Sequence, residues 1–427
     1  MDSVESRDAA HRASESVSNG ADSRASWRMA WLVLAILSIS YASPLIIVVG
    51  MKPMQDALGT DRSVLALAGS LVWVGTGSGG ILMGWLADRI GLRRTVAIGA
   101  VMIAAGLALS SVGAIWTLYV GHALLGFLGN GGVYPPLLVY VSRWFERRRG
   151  AAIALISSGQ YVAGVVWPFF FERGMTAFGW QEVMLVYGVF ALVLILPMTL
   201  FLKDPPKPAP MPMRRAGTRA GERPRVAGLH PNVAQALICL AGFCCCIPMS
   251  IPSAHIVAFC GDLGIKATHG AAMLSLMLGC AFLSRQAWGS LADRIGGLRT
   301  VMAGSACQAV AIALFLLTQG EAGLFFVSAA FGLGFAGIIP SYSVAVRDLF
   351  PASEASWRMP LTLFTAMSGM AFGSWFAGAL YDHFGYYAPA FGIAVIFNLL
   401  NLTIVGFLVF RTGGTGRTLV WPTPRVA

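Results

Sequence analysis

The sequence predicts an all-α membrane protein with twelve transmembrane helices, arranged as two parallel six-helix repeats. Three observations lead to this fold class: long apolar runs recur along the chain, basic residues gather in alternate loops, and the second half repeats the plan of the first. Together they indicate a chain that crosses a bilayer many times rather than one that folds around a single water-excluded core.

The composition requires a membrane. Of the 427 residues, 56% are hydrophobic and only 11% are charged, which is too little polar surface for a water-soluble globule of this size. Although the net charge is +11, the basic residues form no stripe or arm, so nucleic acid is not a predicted partner. We find no nucleotide-binding, metal-ligand or catalytic motif, and therefore predict no cofactor, no metal and no enzymatic activity.

Twelve apolar runs are each long enough to cross a hydrocarbon core of ~30 Å as a helix. They cover residues 27–49, 64–86, 95–112, 116–140, 150–171, 183–202, 234–259, 271–291, 300–317, 322–346, 357–380 and 388–410. The polar segment 1–26 is predicted to be a disordered cytoplasmic tail, 203–231 a basic cytoplasmic linker, and 411–427 a second cytoplasmic tail. The two six-helix halves then span 27–202 and 232–410.

The distribution of lysine and arginine predicts the orientation. With the N-terminus inside, the inner segments hold 25 basic residues, whereas the outer loops hold only Lys52, Arg62, Arg173 and Lys266. Because positive charge is retained on the cytoplasmic side, we expect a multi-pass protein of the cytoplasmic (inner) membrane with both termini in the cytoplasm.

An internal repeat relates the two halves. The segment from Gly84 to Thr95 reads GWLADRIGLRRT, and a similar segment, GSLADRIGGLRT, runs from Gly289 to Thr300 at an offset of 205 residues. Six spans per half is an even number, so both halves enter the membrane from the same side. These segments resemble the loop between helices two and three of the major facilitator superfamily, and that resemblance implies a secondary transporter.

In that family, the loop aspartate is thought to meet the positive N-terminal end of a helix in the opposite half. Carried over to this sequence, the resemblance predicts a conformational latch on the cytoplasmic face, while a solvated loop that obeys the positive-inside rule is the alternative. The predicted latch residues are Gly84, Asp88, Arg89, Gly91, Arg94, Gly289, Asp293 and Arg294.

Arg285 is the predicted substrate-binding residue, because it lies inside the eighth span, where an unpaired guanidinium costs ~2.5 kcal/mol or more. A water-filled central cavity would accommodate it, and a guanidinium can bind a carboxylate through two parallel hydrogen bonds. The alternative is a long side chain that snorkels to the inner interface. An arginine four positions before Gly289 is similar to the helix-eight arginine of the monocarboxylate transporter and oxalate/formate antiporter branch, which implies a small organic anion, with a monocarboxylate preferred.

The sequence departs from that branch in two ways. Ala281 stands where monocarboxylate transporters often carry an aspartate that takes part in proton coupling, and no lysine occurs between Trp357 and Leu380, where the antiporters place one. Protons remain a candidate coupling ion. The candidate coupling residues are His122 and His255, since histidine can change charge near neutral pH. The alternative is that each is a hydrogen-bonded histidine with a structural role, which is more common.

Prolines near the middle of the fourth and tenth spans indicate loosened helices, where substrate sites gather in such transporters. The neighbouring polar and aromatic side chains are therefore further substrate-binding candidates, with plain packing as the alternative: Tyr134, Tyr342, Asn130 and Tyr161.

The predicted function is secondary active transport of a small organic anion by alternating access, by a chain that works as a monomer among membrane lipids. One alternative is efflux of a hydrophobic drug-like compound, and another is a transporter-like ligand sensor. The spans carry no acidic residue near their middle, which argues against a cationic substrate.

Overall fold

A computed structural model describes residues 22–145, 148–205 and 226–413. The predicted C-terminal tail beyond 413, most of the predicted N-terminal tail and most of the predicted linker lie outside the described residues. Within the described part, the chain is helical, with a single isolated bridge between Val226 and Leu229.

Twelve helices of the described chain are long and apolar enough to cross a membrane, which confirms the predicted fold class. They are α1 (Arg24–Ala42), α2 (Arg62–Ile90), α3 (Leu92–Ser110), α4 (Ile115–Ser142), α5 (Gly150–Phe178), α6 (Trp180–Leu200), α7 (Pro231–Asp262), α8 (Ala267–Ile295), α9 (Gly297–Leu317), α10 (Glu321–Leu349), α11 (Trp357–Phe384) and α12 (Ala388–Thr412).

The repeat seen in the sequence recurs in the backbone. Helices α2 and α3 are joined by Gly91 alone, with φ of 89°, and helices α8 and α9 are joined by Gly296 alone, with φ of 83°. A side chain with a Cβ atom rarely adopts this backbone conformation, so glycine permits both one-residue connections. In both halves, the second and third helices are therefore connected by a single glycine with positive φ.

The first apolar run is not one helix. Helix α1 ends at Ala42, and the chain continues as two short helices, Leu45–Val49 and Met51–Leu58. Pro44 causes the break, because it has no backbone N–H and its ring would clash with the carbonyl of Ser40 in a continuous helix. That carbonyl instead accepts hydrogen bonds from the Ser43 hydroxyl, at 2.6 Å, and from the Ser43 amide.

The two halves meet along two pairs of helices, α2 with α11 and α5 with α8. Within the described residues, every hydrogen bond and ion pair between the halves lies at the level of Arg285 or nearer the end of the bundle that carries Arg62. At the opposite end, Trp85 and Asp88 are exposed. The bundle is therefore closed at the Arg62 end and has no described polar contact between the halves at the Asp88 end.

Candidate functional site

A cavity lies between the two halves and is open at one end. Its empty space, including the solvent in the opening, is about 1390 Å³. Each half supplies an equal share of its lining residues, which come from α1, α2, α4, α5, α7, α8, α10, α11 and the short helices after α1. Because the cavity wall is divided between the halves, any movement of one half against the other changes the shape of the cavity.

Arg285 lies in the wall of this cavity and only 7% of it is exposed. Its Nη1 donates a hydrogen bond of 3.2 Å to the backbone carbonyl of Ser157, and its guanidinium carbon lies 5.1 Å from the ring centroid of Tyr161. Its Nε is buried without a partner, and no carboxylate of the described residues forms an ion pair with it. The side chain therefore faces the cavity rather than snorkelling to the interface, and its guanidinium has N–H donors that no described residue uses.

Packing of α8 against α10 orients this arginine. The Nε1 of Trp288 donates to the carbonyl of Leu333 at 2.7 Å, and the hydroxyl of Ser284 donates to the carbonyl of Gly332 at 3.3 Å. Leu278, two turns before Arg285, also lines the cavity. Residues seven apart share a helix face, so a single face of α8 supplies both lining residues.

The carbonyl that Arg285 contacts is free because α5 is interrupted. The span consists of one helix that ends at Ser157 and another that begins at Gly159. The amide of Tyr161 donates to the carbonyl of Ser158, at 2.9 Å, rather than to that of Ser157. Sequence reasoning missed Ser157, although the run of small residues from Ser157 to Gly159 in mid-span is a signal for such a break.

Three tyrosines line the cavity with Arg285: Tyr41, Tyr134 and Tyr161. The rings of Tyr41 and Tyr134 pack edge to face with centroids 5.4 Å apart, and neither hydroxyl has a hydrogen-bond partner among the described residues. Two of the three were candidates from the sequence. Tyr41 was missed, and its position just before the Pro44 break was the available signal.

Two other substrate-binding candidates lie outside the cavity wall. The Tyr342 hydroxyl donates to Oδ1 of Asn401 at 2.7 Å, inside the second half, and Asn130 accepts a hydrogen bond from Ser40. Asn130 and Tyr134 both face α1, where Asn130 contacts Ser40 and Tyr134 packs on Tyr41, but only Tyr134 reaches the cavity wall.

The two histidines differ in their surroundings. The Nδ1 of His122 lies 3.0 Å from the Leu118 carbonyl and 3.1 Å from the Ser110 hydroxyl, in the interior of the first half and not in the cavity wall. The Nδ1 of His255 lies 2.9 Å from the Tyr387 hydroxyl, and its Nε2 lies 2.8 Å from the Ser374 carbonyl. The ring of His255 therefore joins α7, α11 and the start of α12.

A cluster around Arg62 joins the halves at the closed end, and sequence reasoning did not identify it. The Arg62 guanidinium binds the Asp262 carboxylate, and its Nη1 donates to the Tyr387 hydroxyl at 3.0 Å. The Asp382 carboxylate accepts hydrogen bonds of 2.8 Å from the backbone amides of Arg62 and Ser63, at the N-terminus of α2. The Asp382 carboxylate belongs to the second half, and the N-terminus of α2 belongs to the first.

The predicted latch loops lie at the other end of the bundle. Asp88 is exposed and lies 3.8 Å from Arg143 of its own half. Asp293 and Arg294 form no ion pair with any residue that the structure describes. In this conformation the loops are therefore not engaged with the opposite half.

A twelve-helix bundle of two repeats around a central cavity defines a multi-pass membrane transporter. The sequence model of the Major Facilitator Superfamily matches residues 30–283 and 238–420, and the chain belongs to this superfamily. Transporters of this family are not enzymes, as the sequence predicted.

Among its relatives, the chain is 25% identical over 342 residues to the MFS-type transporter pynF of Aspergillus niger, covering 78% of this chain and 76% of that protein. It is 26% identical over 338 residues to monocarboxylate transporter 13 of Bos taurus, covering 76% of each. The solved structure of a bacterial homologue of the human lysosomal transporter Spinster, inward-facing and unoccupied, matches its fold with a TM-score of 0.65 at 15% identity, covering 94% of this chain and 99% of that one.

Proposed function

We propose that this protein is a secondary active transporter that moves an organic anion, a monocarboxylate, across the cytoplasmic membrane by alternating access. The observation that carries the proposal is the buried guanidinium of Arg285, which faces the cavity without a protein carboxylate to neutralise it. A substrate carboxylate supplies the missing charge and accepts the unused donors. The similarity to monocarboxylate transporter 13 supports this substrate class.

The tyrosines place further donors beside that charge. Both free hydroxyl groups, on Tyr41 and Tyr134, lie in the same cavity wall as Arg285. A carboxylate has about four lone-pair positions, and two parallel bonds to a guanidinium leave others for hydroxyl donors. We assign Tyr134 and Tyr41 to substrate contact, and Tyr161 to holding the guanidinium against its ring.

The orientation is proposed on the charge asymmetry of the loops, with both termini and the Asp88 end in the cytoplasm. The structure is then the inward-facing state. The Asp88 and Asp293 loops are proposed to engage the opposite half when that face closes, which is consistent with their exposure here. One chain encloses the whole cavity, so a monomer suffices for transport.

Proton coupling is proposed at His255 rather than at His122. His255 contacts Tyr387, which accepts a hydrogen bond from Arg62 of the other half, so its charge bears directly on the contact that closes the Arg62 end. His122 contacts only groups of its own half.

Transport by proteoliposomes tests the proposal. We expect uptake of a radiolabelled monocarboxylate, stimulated by an inward proton gradient, to fall at least 100-fold in Arg285→Ala and about tenfold in Arg285→Lys, which keeps the charge but loses the planar fork. Arg347→Ala, at an exposed site outside the cavity, is the matched control and should transport normally. Transport by Arg285→Ala at the control rate contradicts the proposal.

A further inference from the structure

We propose that the cavity selects organic anions that combine one carboxylate with a bulky, ring-bearing apolar body. Three classes of compound are then poor ligands: short monocarboxylates such as acetate, dicarboxylates, and amino acids. This inference rests on the proposed function and narrows its substrate class.

The charge of the cavity restricts the charge of the ligand. Among the described residues that line the cavity, Arg285 is the one ionic side chain. A second carboxylate on the ligand would have no cation to meet it, and an α-ammonium group would have no anion. Either charge, enclosed in an apolar wall when the transporter occludes, is strongly destabilised. The wall therefore accommodates a net charge of minus one, carried at one end of the ligand.

Most of the wall beyond Arg285 is apolar, and the Ser250 and Ser253 hydroxyls that also line the cavity donate to carbonyls of their own helix. Leu278 lies on the same face of α8, two turns or about 10 Å nearer the closed end. Trp73 of α2 and Met249 of α7 also line the cavity, with Met367 and Met370 of α11. Methionine side chains adapt to irregular apolar shapes, and an indole offers a flat face on which a ring can stack. These groups suit a ring or a branched hydrocarbon rather than a second polar group.

The size of the cavity points the same way. The lining residues run from Arg285 to Leu65, Trp73 and Leu278, so the cavity extends well beyond the position of a carboxylate bound at Arg285. An acid of two or three carbons bound at Arg285 would leave the wall around Trp73 and Leu278 uncovered. Removing that apolar surface from water is the main favourable contribution a larger body adds. Affinity should therefore rise steeply with the apolar body.

Calorimetric titration of the purified protein in nanodiscs tests this with four ligands matched in structure: acetate, 3-phenylpropionate, phenylalanine and phenylsuccinate. Phenylalanine adds an ammonium group to 3-phenylpropionate, and phenylsuccinate carries a second carboxylate beside a phenyl ring. We expect 3-phenylpropionate to bind about 100-fold more tightly than acetate. Phenylalanine and phenylsuccinate should each bind at least tenfold more weakly than 3-phenylpropionate.

Two tryptophan variants locate the effect. Trp73→Ala should weaken 3-phenylpropionate about tenfold and leave acetate unchanged, because the indole in the cavity wall offers a stacking face that only a ring-bearing ligand uses. Trp116→Ala removes a tryptophan that is 67% exposed and outside the cavity wall, and should change neither. Equal losses in the two variants would overturn the assignment of the apolar body to this wall.

The outcomes separate this inference from the proposed function. If acetate binds as tightly as 3-phenylpropionate, and Arg285→Ala abolishes both, the selectivity for a bulky body is wrong and carboxylate recognition stands. If phenylalanine or phenylsuccinate binds as well as 3-phenylpropionate, the single-charge rule is wrong. If none of the four ligands binds, or Arg285→Ala binds them normally, both proposals fail.

Discussion

Arg62 and Arg285 are both buried arginines in membrane-spanning helices, and they differ in what surrounds the charge. Arg62 is matched by the Asp262 carboxylate and stacks on the ring of Tyr381, with its guanidinium carbon 3.7 Å from the ring centroid. Arg285 has a backbone carbonyl and a tyrosine ring but no described carboxylate. A satisfied charge stabilises the closed conformation, whereas an unsatisfied one is available to a ligand.

Removing one partner of the matched pair should destabilise the protein. We expect Asp262→Asn to lower the free energy of unfolding by about 3 kcal/mol, since it leaves the Arg62 charge buried without its anion. The double variant Arg62→Gln with Asp262→Asn should recover more than half of that loss, because no buried unpaired charge remains; Lys52, which also lies 3.6 Å from Asp262, is 44% exposed.

Thermal unfolding of both variants in detergent measures the difference. Glu172→Gln, a partly exposed carboxylate in α5 without a described ion pair, is the control and should unfold at the wild-type temperature. A double variant that is less stable than Asp262→Asn would show that the two side chains are not coupled in this way.

At the scale of secondary-structure elements, α2 packs against α11, and a carboxylate of α11 lies at the N-terminus of α2. Asp382, near the C-terminal end of α11, accepts hydrogen bonds from the first amides of α2. A carboxylate at a helix N-terminus satisfies otherwise unpaired N–H groups and interacts favourably with the helix dipole. Asp61, at the N-cap position of α2 itself, makes no such side-chain bond. The cap therefore comes from the opposite half, and it is lost if the halves separate there.

Neutralising this cap should favour opening of the Arg62 end. In Asp382→Asn we expect the open population to increase about three- to tenfold, as the loss of a helix-end charge implies. The control is Asp61→Asn, which changes an adjacent charge that makes no capping bond. Spin labels at Ala57→Cys and Tyr386→Cys, in a Cys307→Ser background that removes the exposed native thiol, report the distance between the halves. An identical distance distribution in both aspartate variants would exclude a role for the cap.

At the scale of the whole molecule, the contacts at the Arg62 end would hold one of the two states that the proposed alternating access requires. The Ser70 hydroxyl of α2 donates to the Ala371 carbonyl of α11 at 2.6 Å, deeper in the same interface. Neighbouring residues of both helices, Gly69 of α2 and Met370 of α11, line the cavity. Closure at one end and separation at the other is therefore a property of how the halves pack, not of one residue.

A covalent bond across this interface should stop transport. We expect the pair Ser70→Cys with Ala371→Cys to lose transport on oxidation and to regain it with a reductant, because the disulfide prevents the Arg62 end from opening. Each single variant should transport under both conditions. Radiolabelled counterflow in proteoliposomes is the measurement, and undiminished transport by the oxidised pair, with the bond verified by mass spectrometry, would contradict alternating access through this end.

The fold could be predicted from the sequence because lipid leaves few alternatives. Each apolar run must satisfy its backbone hydrogen bonds internally, so each becomes helical, and the break after α1 follows from Pro44. The position of Arg285 in the cavity wall could also be predicted, since a cation inside an apolar run requires a polar environment, whereas its contact with substrate stays a prediction. Tyr342 and Asn130 could not be placed, because a loosened span does not reveal which face turns to the cavity.

The sequence by itself determined the number of spans, their two-fold repeat and the charged residue at the centre, since these depend on local composition and spacing. Only the tertiary structure decided which aromatic side chains share the cavity with Arg285, that the Ser157 carbonyl meets it, and that Asp262 and Asp382 close the opposite end across the halves. Those contacts join residues far apart in the chain. They depend on how helices rotate and pack against each other, which local periodicity does not specify.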